Sequence, residues 1–328
     1  MRTSLPVRLG RSVSTVGLGC WQLGADWGDL DDDLAQSILG AAADAGTTFF
    51  DTADVYGDGR SERAVGRFLA SRPDAERLVV ATKMGRRANP HVPEAYTLDN
   101  FRAWTDRSRE NLGVDRLDLV QLHCPPSAVL ADPRTYENLA TLVAEGRVEN
   151  VGVSVETVHE ALVAIGEPGV TSVQIIVNVF RRKPLERVLG EAHAAGIMVI
   201  ARVPLASGLL RGRYDENTTF PENDHRNYNR TGASFDAGET FAGVPFDVGV
   251  RAAREVSALT PPGWTTAQLA LRWILDQHVD TVIPGARTVE QAVTNAAVGD
   301  LPSLSDETHA ALAEIYNRDI REHVHGRW

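Results

Sequence analysis

Four residues in the first 123 could together hold and move a proton: Asp51, Tyr56, Lys83 and His123. An unperturbed phenol loses its proton near pH 10, so tyrosine is a reluctant acid at neutral pH. A nearby ammonium stabilises the phenolate left behind. Lys83 is the candidate ammonium, and Asp51 the carboxylate that keeps it charged and in place. His123 offers a hydrogen bond that orients an oxygen beside the phenol. Taken singly, each has a plainer reading: Tyr56 as a loop-packing aromatic, Lys83 as a strand-end cap, His123 as a satisfied polar residue. Their placement argues for a set. Asp51 closes the apolar run Phe49-Phe50, with Tyr56 in the loop behind it. Lys83 closes Leu78-Val79-Val80-Ala81-Thr82, and His123 closes Leu117 to Leu122.

Three such ends in succession ask for a scaffold that gathers strand ends on one face. Short apolar runs centre on Val16, Phe50, Val80, Val120, Val151, Ile175, Val199 and Val282. Between and after them, helical periods cover 32–45, 61–71, 98–112, 133–144, 158–165, 184–195, 246–258 with 265–276, and 289–298. Near-continuous apolar strands alternating with helices imply a parallel sheet covered by helices. Eight repeats in 328 residues imply an α/β chain closed as a (β/α)₈ TIM barrel, whose catalytic face is built from the C-terminal strand ends. Ser61 is placed to cap the second helix, and Gly46 and Gly196 follow helices where a left-handed residue fits.

Several regions stand outside this repeat. The residues before Ser14 read as an N-terminal β-hairpin, and 305–316 as an extra C-terminal helix. The stretch 211–244 is poor in apolar residues and rich in Asn, Asp, Gly and Arg. A connection that long is usually functional or disordered, and after strand seven it should hang over the catalytic face as a lid. His323, His325 and Trp328 lie in a tail that reads as packed or mobile rather than metal-binding. No Pro/Ser-rich linker divides the chain, so 1–328 is expected to form a single domain.

Bulk properties narrow the setting. The chain is 43% hydrophobic and 23% charged, ordinary for a globular protein. A net charge of −11 disfavours nucleic acid and anionic membrane as partners. Neither a signal peptide nor a membrane-length apolar run is visible, and Cys20 and Cys124 are too few for a disulfide framework. A reducing cytoplasmic location is expected, with both thiols buried near strand ends.

The order Asp51-Thr52-Ala53-Asp54-Val55-Tyr56-Gly57, then Thr82-Lys83, then His123, then Ile283-Pro284-Gly285 resembles the aldo-keto reductases from Gly17 to Asn295. Pro125-Pro126 and the long segment resemble the bacterial and channel-subunit-like branches. The resemblance implies reduction of a small aldehyde or ketone by NADPH, with NADH a weaker alternative and no metal. Asp51, Tyr56, Lys83 and His123 would be catalytic, and Trp21 would line the substrate pocket. No Gly-x-Gly-x-x-Gly fingerprint follows a strand, so a Rossmann site is not indicated. The resemblance instead lays the dinucleotide across the strand ends. Ser154 and Gln174 would bind the nicotinamide carboxamide. Arg202 stands where relatives often stack an aromatic beneath the ring. Pro204, Leu205, Ser207, Gly208 and Leu210 belong to the segment that wraps the pyrophosphate. Gly285, Arg287, Gln291 and Asn295 would hold the adenosine end, with Arg287 on the 2′-phosphate.

Some positions depart from the family pattern. Val155 replaces an asparagine that would bind the carboxamide. Gly285-Ala286 and Gln291 replace residues that often carry charge. A binding subunit that senses the bound nicotinamide with little turnover is the alternative on the same scaffold. A further reading makes Lys83 a Schiff-base nucleophile.

Overall fold

The computed structural model describes residues 1–24 and 30–328. Ten strands form in chain order: β1 Thr3–Ser4, β2 Val13–Ser14, β3 Leu18–Gly19, β4 Phe49–Asp51, β5 Val79–Met84, β6 Leu117–His123, β7 Val148–Ser154, β8 Val170–Ile176, β9 Met198–Arg202 and β10 Thr281–Val282. Strands β3 to β10 pair in sequence order, all in parallel. Bridges from Val16 to Val282 and from Gly19 to Gly285 join the two edges. The sheet therefore closes as the (β/α)₈ barrel expected from the repeat.

Alternation along each strand sorts the side chains. Phe49, Val79, Ala81, Leu119, Met198, Ile200 and Ile283 form one apolar cluster inside the barrel. Their neighbours Phe50, Val80, Val120, Val199 and Ala201 face the larger core under the helices. With a period of two, the inward set continues upward as Asp51, Lys83, Gln121, His123, Gln174 and Arg202. The barrel interior is thus oily below and polar at its C-terminal mouth.

β1 and β2 pair as an antiparallel hairpin, and Leu9 and Val13 add to the inner cluster. Asp118 Oδ2 accepts from Val80 N at 2.9 Å, and its Oδ1 accepts from Arg11 Nη1 at 2.7 Å. Asp280 Oδ2 accepts from Val199 N at 2.8 Å, and its Oδ1 from Ser4 Oγ at 2.7 Å. Each carboxylate thus serves a strand amide and a residue of the N-terminal stretch.

Several elements differ from the sequence reading. Ser61 lies inside helix Arg60–Ser71, whose N-cap is Gly59 at φ 80°. Its hydroxyl accepts from Thr52 Oγ1 and donates to Cys20 O, so it ties loops together instead of capping. The 184–195 period splits at Arg187 into a 3-10 turn, Lys183–Glu186, and a helix, Val188–Ala194. The 211–244 stretch contains one short helix, His225–Tyr228, and 3-10 turns. Trp328 is buried and donates to Asp236 Oδ1 at 2.9 Å. Among the described residues no helix is long and apolar enough to cross a membrane.

Asp280→Ala strands the buried Val199 N–H, so a loss of about 1–3 kcal/mol of unfolding free energy is expected. Denaturant titration with unchanged m-value measures it, and an unshifted midpoint would contradict the anchoring role.

Candidate active site

The four proton-handling residues meet at the barrel mouth. Lys83 Nζ donates to Asp51 Oδ2 at 2.5 Å, to Thr52 O at 2.8 Å and to the Tyr56 hydroxyl at 3.3 Å. That accounts for all three ammonium protons. The second Asp51 oxygen accepts from Gln174 Nε2 at 2.8 Å and from Gln121 Nε2 at 3.3 Å. The His123 ring meets the Tyr56 ring edge-on, centroids 5.9 Å apart. Gln121 went unremarked in the sequence, although its position two residues before His123 places it on the same face.

The loop bearing Tyr56 is fixed by backbone. Thr52 N donates to Ala81 O, Asp54 N to Lys83 O, and Cys20 N to Asp51 O. Gly57 takes φ 58°, and a Cβ there would meet Gly24 O at 1.8 Å. Only glycine lets the loop lie this close.

Burial sets the proton affinities. Desolvation pushes the Tyr56 phenol up to about 12, while Lys83 pulls it down and Asp51 pushes it further up. Desolvation opposes charge on Lys83, but Asp51 and then Tyr56 outweigh it and hold the ammonium above its ordinary range. The phenol is therefore a weaker acid at rest than the lysine alone implies. Burial, followed by the Arg86, Lys83 and Arg202 charges, drives His123 well below the usual imidazole range.

A cavity of roughly 370 Å³ runs from these residues along the strand ends. Trp21, Asp51, Tyr56, His123, Gln174, Arg202, Pro204, Leu205, Ser207 and Gly208 line its barrel end. Gly285, Arg287, Gln291 and Asn295 line the far end. Lys83 lies beneath this surface. Leu210 does not reach the cavity: it is fully buried in the core, and its N–H bonds to Leu205 O. Ser154 is buried behind the wall, its hydroxyl 3.9 Å from Cys124 Sγ. The Ser207 hydroxyl is already used, donating to Glu239 O and accepting from Phe241 N, both at 3.1 Å. Gln291 Oε1 accepts from Arg287 N, and Asn295 Nδ2 donates to Gly285 O.

The long segment closes one wall. Trp21 stacks on Tyr56 at 5.9 Å, and His225 and Phe235 pack against Trp21 at 4.8 and 5.9 Å. Glu239 lines the cavity and accepts from Arg86 Nη1 at 2.8 Å. Arg202 donates to Glu156 Oε2 at 2.8 Å and to Val155 O at 3.0 Å. The guanidinium that stands where relatives stack an aromatic thus sits between two carboxylates, Glu156 and Glu239. Burial raises Glu156, whereas Arg86 and Arg202 overcome burial and hold Glu239 ionised. These carboxylates lie near Cys124 Sγ, but the guanidinium bonds within that group.

The start of the segment supplies charge that the adenosine motif lacks. Arg211, Arg213 and Arg226 line the same cavity as Arg287. Arg226 is paired with Asp224. Among the described residues Arg211, Arg213 and Arg287 form no ion pair. The signal was present in Arg211-Gly212-Arg213, directly after the wrapping segment.

Residues 15–317 match the aldo/keto reductase family model. The chain belongs to the aldo/keto reductase family. It is 28% identical over 321 residues to the NADP(+) aldo-keto reductase yakc of Schizosaccharomyces pombe, covering 95% of this chain and 91% of that one. A glycerol dehydrogenase structure from Gluconobacter oxydans superposes with TM-score 0.77 at 29% identity, covering 97% of this chain and 96% of that one. An aldo-keto reductase from Klebsiella pneumoniae in complex with NADPH superposes with TM-score 0.67 at 26% identity, covering 93% and 92%.

His123 should still be a neutral imidazole at pH 6.5, where a free imidazole is half protonated, since burial holds its folded pKa well below that ordinary value. Nitrogen NMR of the ring measures this. Protonation with a midpoint near 6.5 would contradict the burial argument.

Proposed function

We propose that this family member reduces an aldehyde or ketone to the alcohol with NADPH, with Tyr56 as general acid. The observation that carries this reading is the single ammonium of Lys83, bonded at once to Asp51 and to the Tyr56 hydroxyl. NADPH supplies the hydride to the carbonyl carbon. Tyr56 donates its proton to the carbonyl oxygen, and the phenolate forms beside a fixed positive charge. Desolvation makes the resting phenol weak, but it also strengthens that attraction once charge appears. His123, neutral at working pH, hydrogen-bonds the substrate oxygen. Trp21, with His225 and Phe235 of the long segment, forms an apolar wall beside it. The 211–244 segment acts as the cover of the cavity.

The cavity's length and its charge support the cofactor. Proton-handling groups stand at one end and guanidinium groups at the other, as a dinucleotide carrying a 2′-phosphate requires. The turn from Val203 to Gly208 takes positive φ at Val203, Ala206, Ser207 and Gly208. The Ala206 and Gly208 N–H groups are bonded to Val203 O and Leu205 O, so the turn offers an anion at most its alternate N–H groups. Arg287 serves the 2′-phosphate, and Arg211 and Arg213 the phosphates of the bridge. A Schiff-base role for Lys83 is disfavoured, because its partners keep the amine protonated and unable to attack.

Tyr56→Phe should retain NADPH binding and lose turnover by a factor on the order of 10² to 10⁴. Stopped-flow reduction of a carbonyl panel measures it, and wild-type turnover in the variant would reject Tyr56 as the acid.

NADPH should be preferred over NADH by at least about tenfold in kcat/KM, because one charge-assisted phosphate bond contributes about 1.5–3 kcal/mol. Arg287→Ala should remove most of that preference by weakening NADPH alone. A wild type that prefers NADH, or a variant with unchanged preference, would remove Arg287 from the site.

A further inference from the structure

Two departures from the family pattern meet in space. Val155 puts a side chain with no polar atom where relatives place an amide. Arg202 puts a guanidinium where relatives place an aromatic. Val155 is fully buried, and its carbonyl accepts from Arg202 Nη2 at 3.0 Å. The same nitrogen reaches Glu156 Oε2 at 2.8 Å and Cys124 Sγ at 3.7 Å. Cys124 Sγ is in turn 3.9 Å from Ser154 Oγ. These bonds draw the guanidinium toward the end of β7, on the serine side of the cavity.

The nitrogens of Arg202 are not equally used. Nη2 is saturated by Val155 and Glu156. Among the described residues Nε is buried with no partner, and Nη1 meets Glu239 Oε1 at 3.9 Å, beyond hydrogen-bond reach. Arg202 lines the cavity beside Asp51, Tyr56, His123 and Gln174, yet it is only 7% exposed. A buried cation with spare donors at the edge of a cavity calls for an acceptor. Gln174 does not supply the missing function unaided, since its amide nitrogen donates to Asp51 Oδ1 at 2.8 Å and to Gln121 Oε1 at 3.4 Å.

We infer that Arg202 is the donor that holds the carboxamide oxygen of the nicotinamide, taking over at Val155 the role of the absent amide. The guanidinium fork allows this because one branch is anchored to Val155 and Glu156 while the other is left to donate. Glu239, held ionised between Arg86 and Arg202, partly offsets its charge. Arg202 is then a positioning residue for the ring that delivers hydride. This inference rests on the NADP(H) reading above.

Binding, not activity, tests it. The probes are NADP⁺; its 3-acetylpyridine analogue, which keeps the oxygen and lacks the amide nitrogen; and adenosine 2′,5′-bisphosphate, which lacks the ring. Arg202→Met should weaken NADP⁺ and the acetylpyridine analogue by about ten- to a hundredfold, leaving the bisphosphate unchanged. Arg202→Lys keeps a cation for Glu156 and loses the fork, so it should weaken the two ring-bearing probes in the same way in a securely folded protein. Adding Val155→Asn to Arg202→Met should restore most of the loss, whereas Arg202→Tyr should not. The inference is overturned if the ratio of NADP⁺ to bisphosphate affinity is unchanged in Arg202→Met and Arg202→Lys, or if Arg202→Tyr matches wild type. If wild type binds NADP⁺ no tighter than the bisphosphate, the carboxamide anchor fails while the adenosine site stands. If it binds neither, the cofactor reading itself fails.

Discussion

Lys83 holds a positive charge in the barrel mouth with 1% of its surface exposed, and Asp51 makes that tolerable. A buried ion without its partner costs several kcal/mol, so the position of one side chain dictates the other. They come from neighbouring strands, β4 and β5, where Asp51 pairs with Ala81 and Lys83 follows two residues further along on the same inward face. Gln121 and Gln174, from β6 and β8, then fill the remaining acceptor capacity of Asp51. The site is therefore a polar layer of the barrel interior, resting on the apolar layer of Phe49, Val79, Leu119 and Met198. Tyr56 joins it from a loop whose path is fixed by backbone bonds and by a glycine contact at Gly57.

Much of this was legible in the sequence, for a simple reason. An apolar run that ends in Asp, Lys or His marks a strand that leaves the interior at a polar mouth, and the repeat of such runs gives the barrel. What was not legible depended on contacts distant in sequence. Ser61 looked like a helix cap by type, but Thr52 and Cys20 claim its hydroxyl. The carboxylates that flank Arg202 went unremarked because Glu156 and Glu239 lie 46 and 37 positions away in the chain. Leu210 sat in a segment expected to wrap phosphate, yet a leucine's gain from burial takes it into the core. Arg211, Arg213 and Arg226 were visible within a stretch of mixed charge, but only the fold aims them at the same cavity as Arg287.

The long segment links these features. Its arginines face the far end of the cavity, its His225 and Phe235 pack on Trp21, and its Glu239 pairs with Arg86 beside Arg202. Trp328 holds the turn at Asp236 from the outside. One element thus contributes charge, an apolar wall and an ion pair to a single cavity, which explains why a stretch so poor in apolar residues is nonetheless ordered.

We propose that Tyr56 and Lys83 act as one unit, the ammonium working by stabilising the phenolate. A double-mutant cycle on single-turnover carbonyl reduction tests it most directly. Tyr56→Phe and Lys83→Met should each cause a large loss, and the double variant should be scarcely slower than the worse single one. Losses that multiply in the double variant would mean that the two residues act independently, and would contradict the coupling on which the site is built.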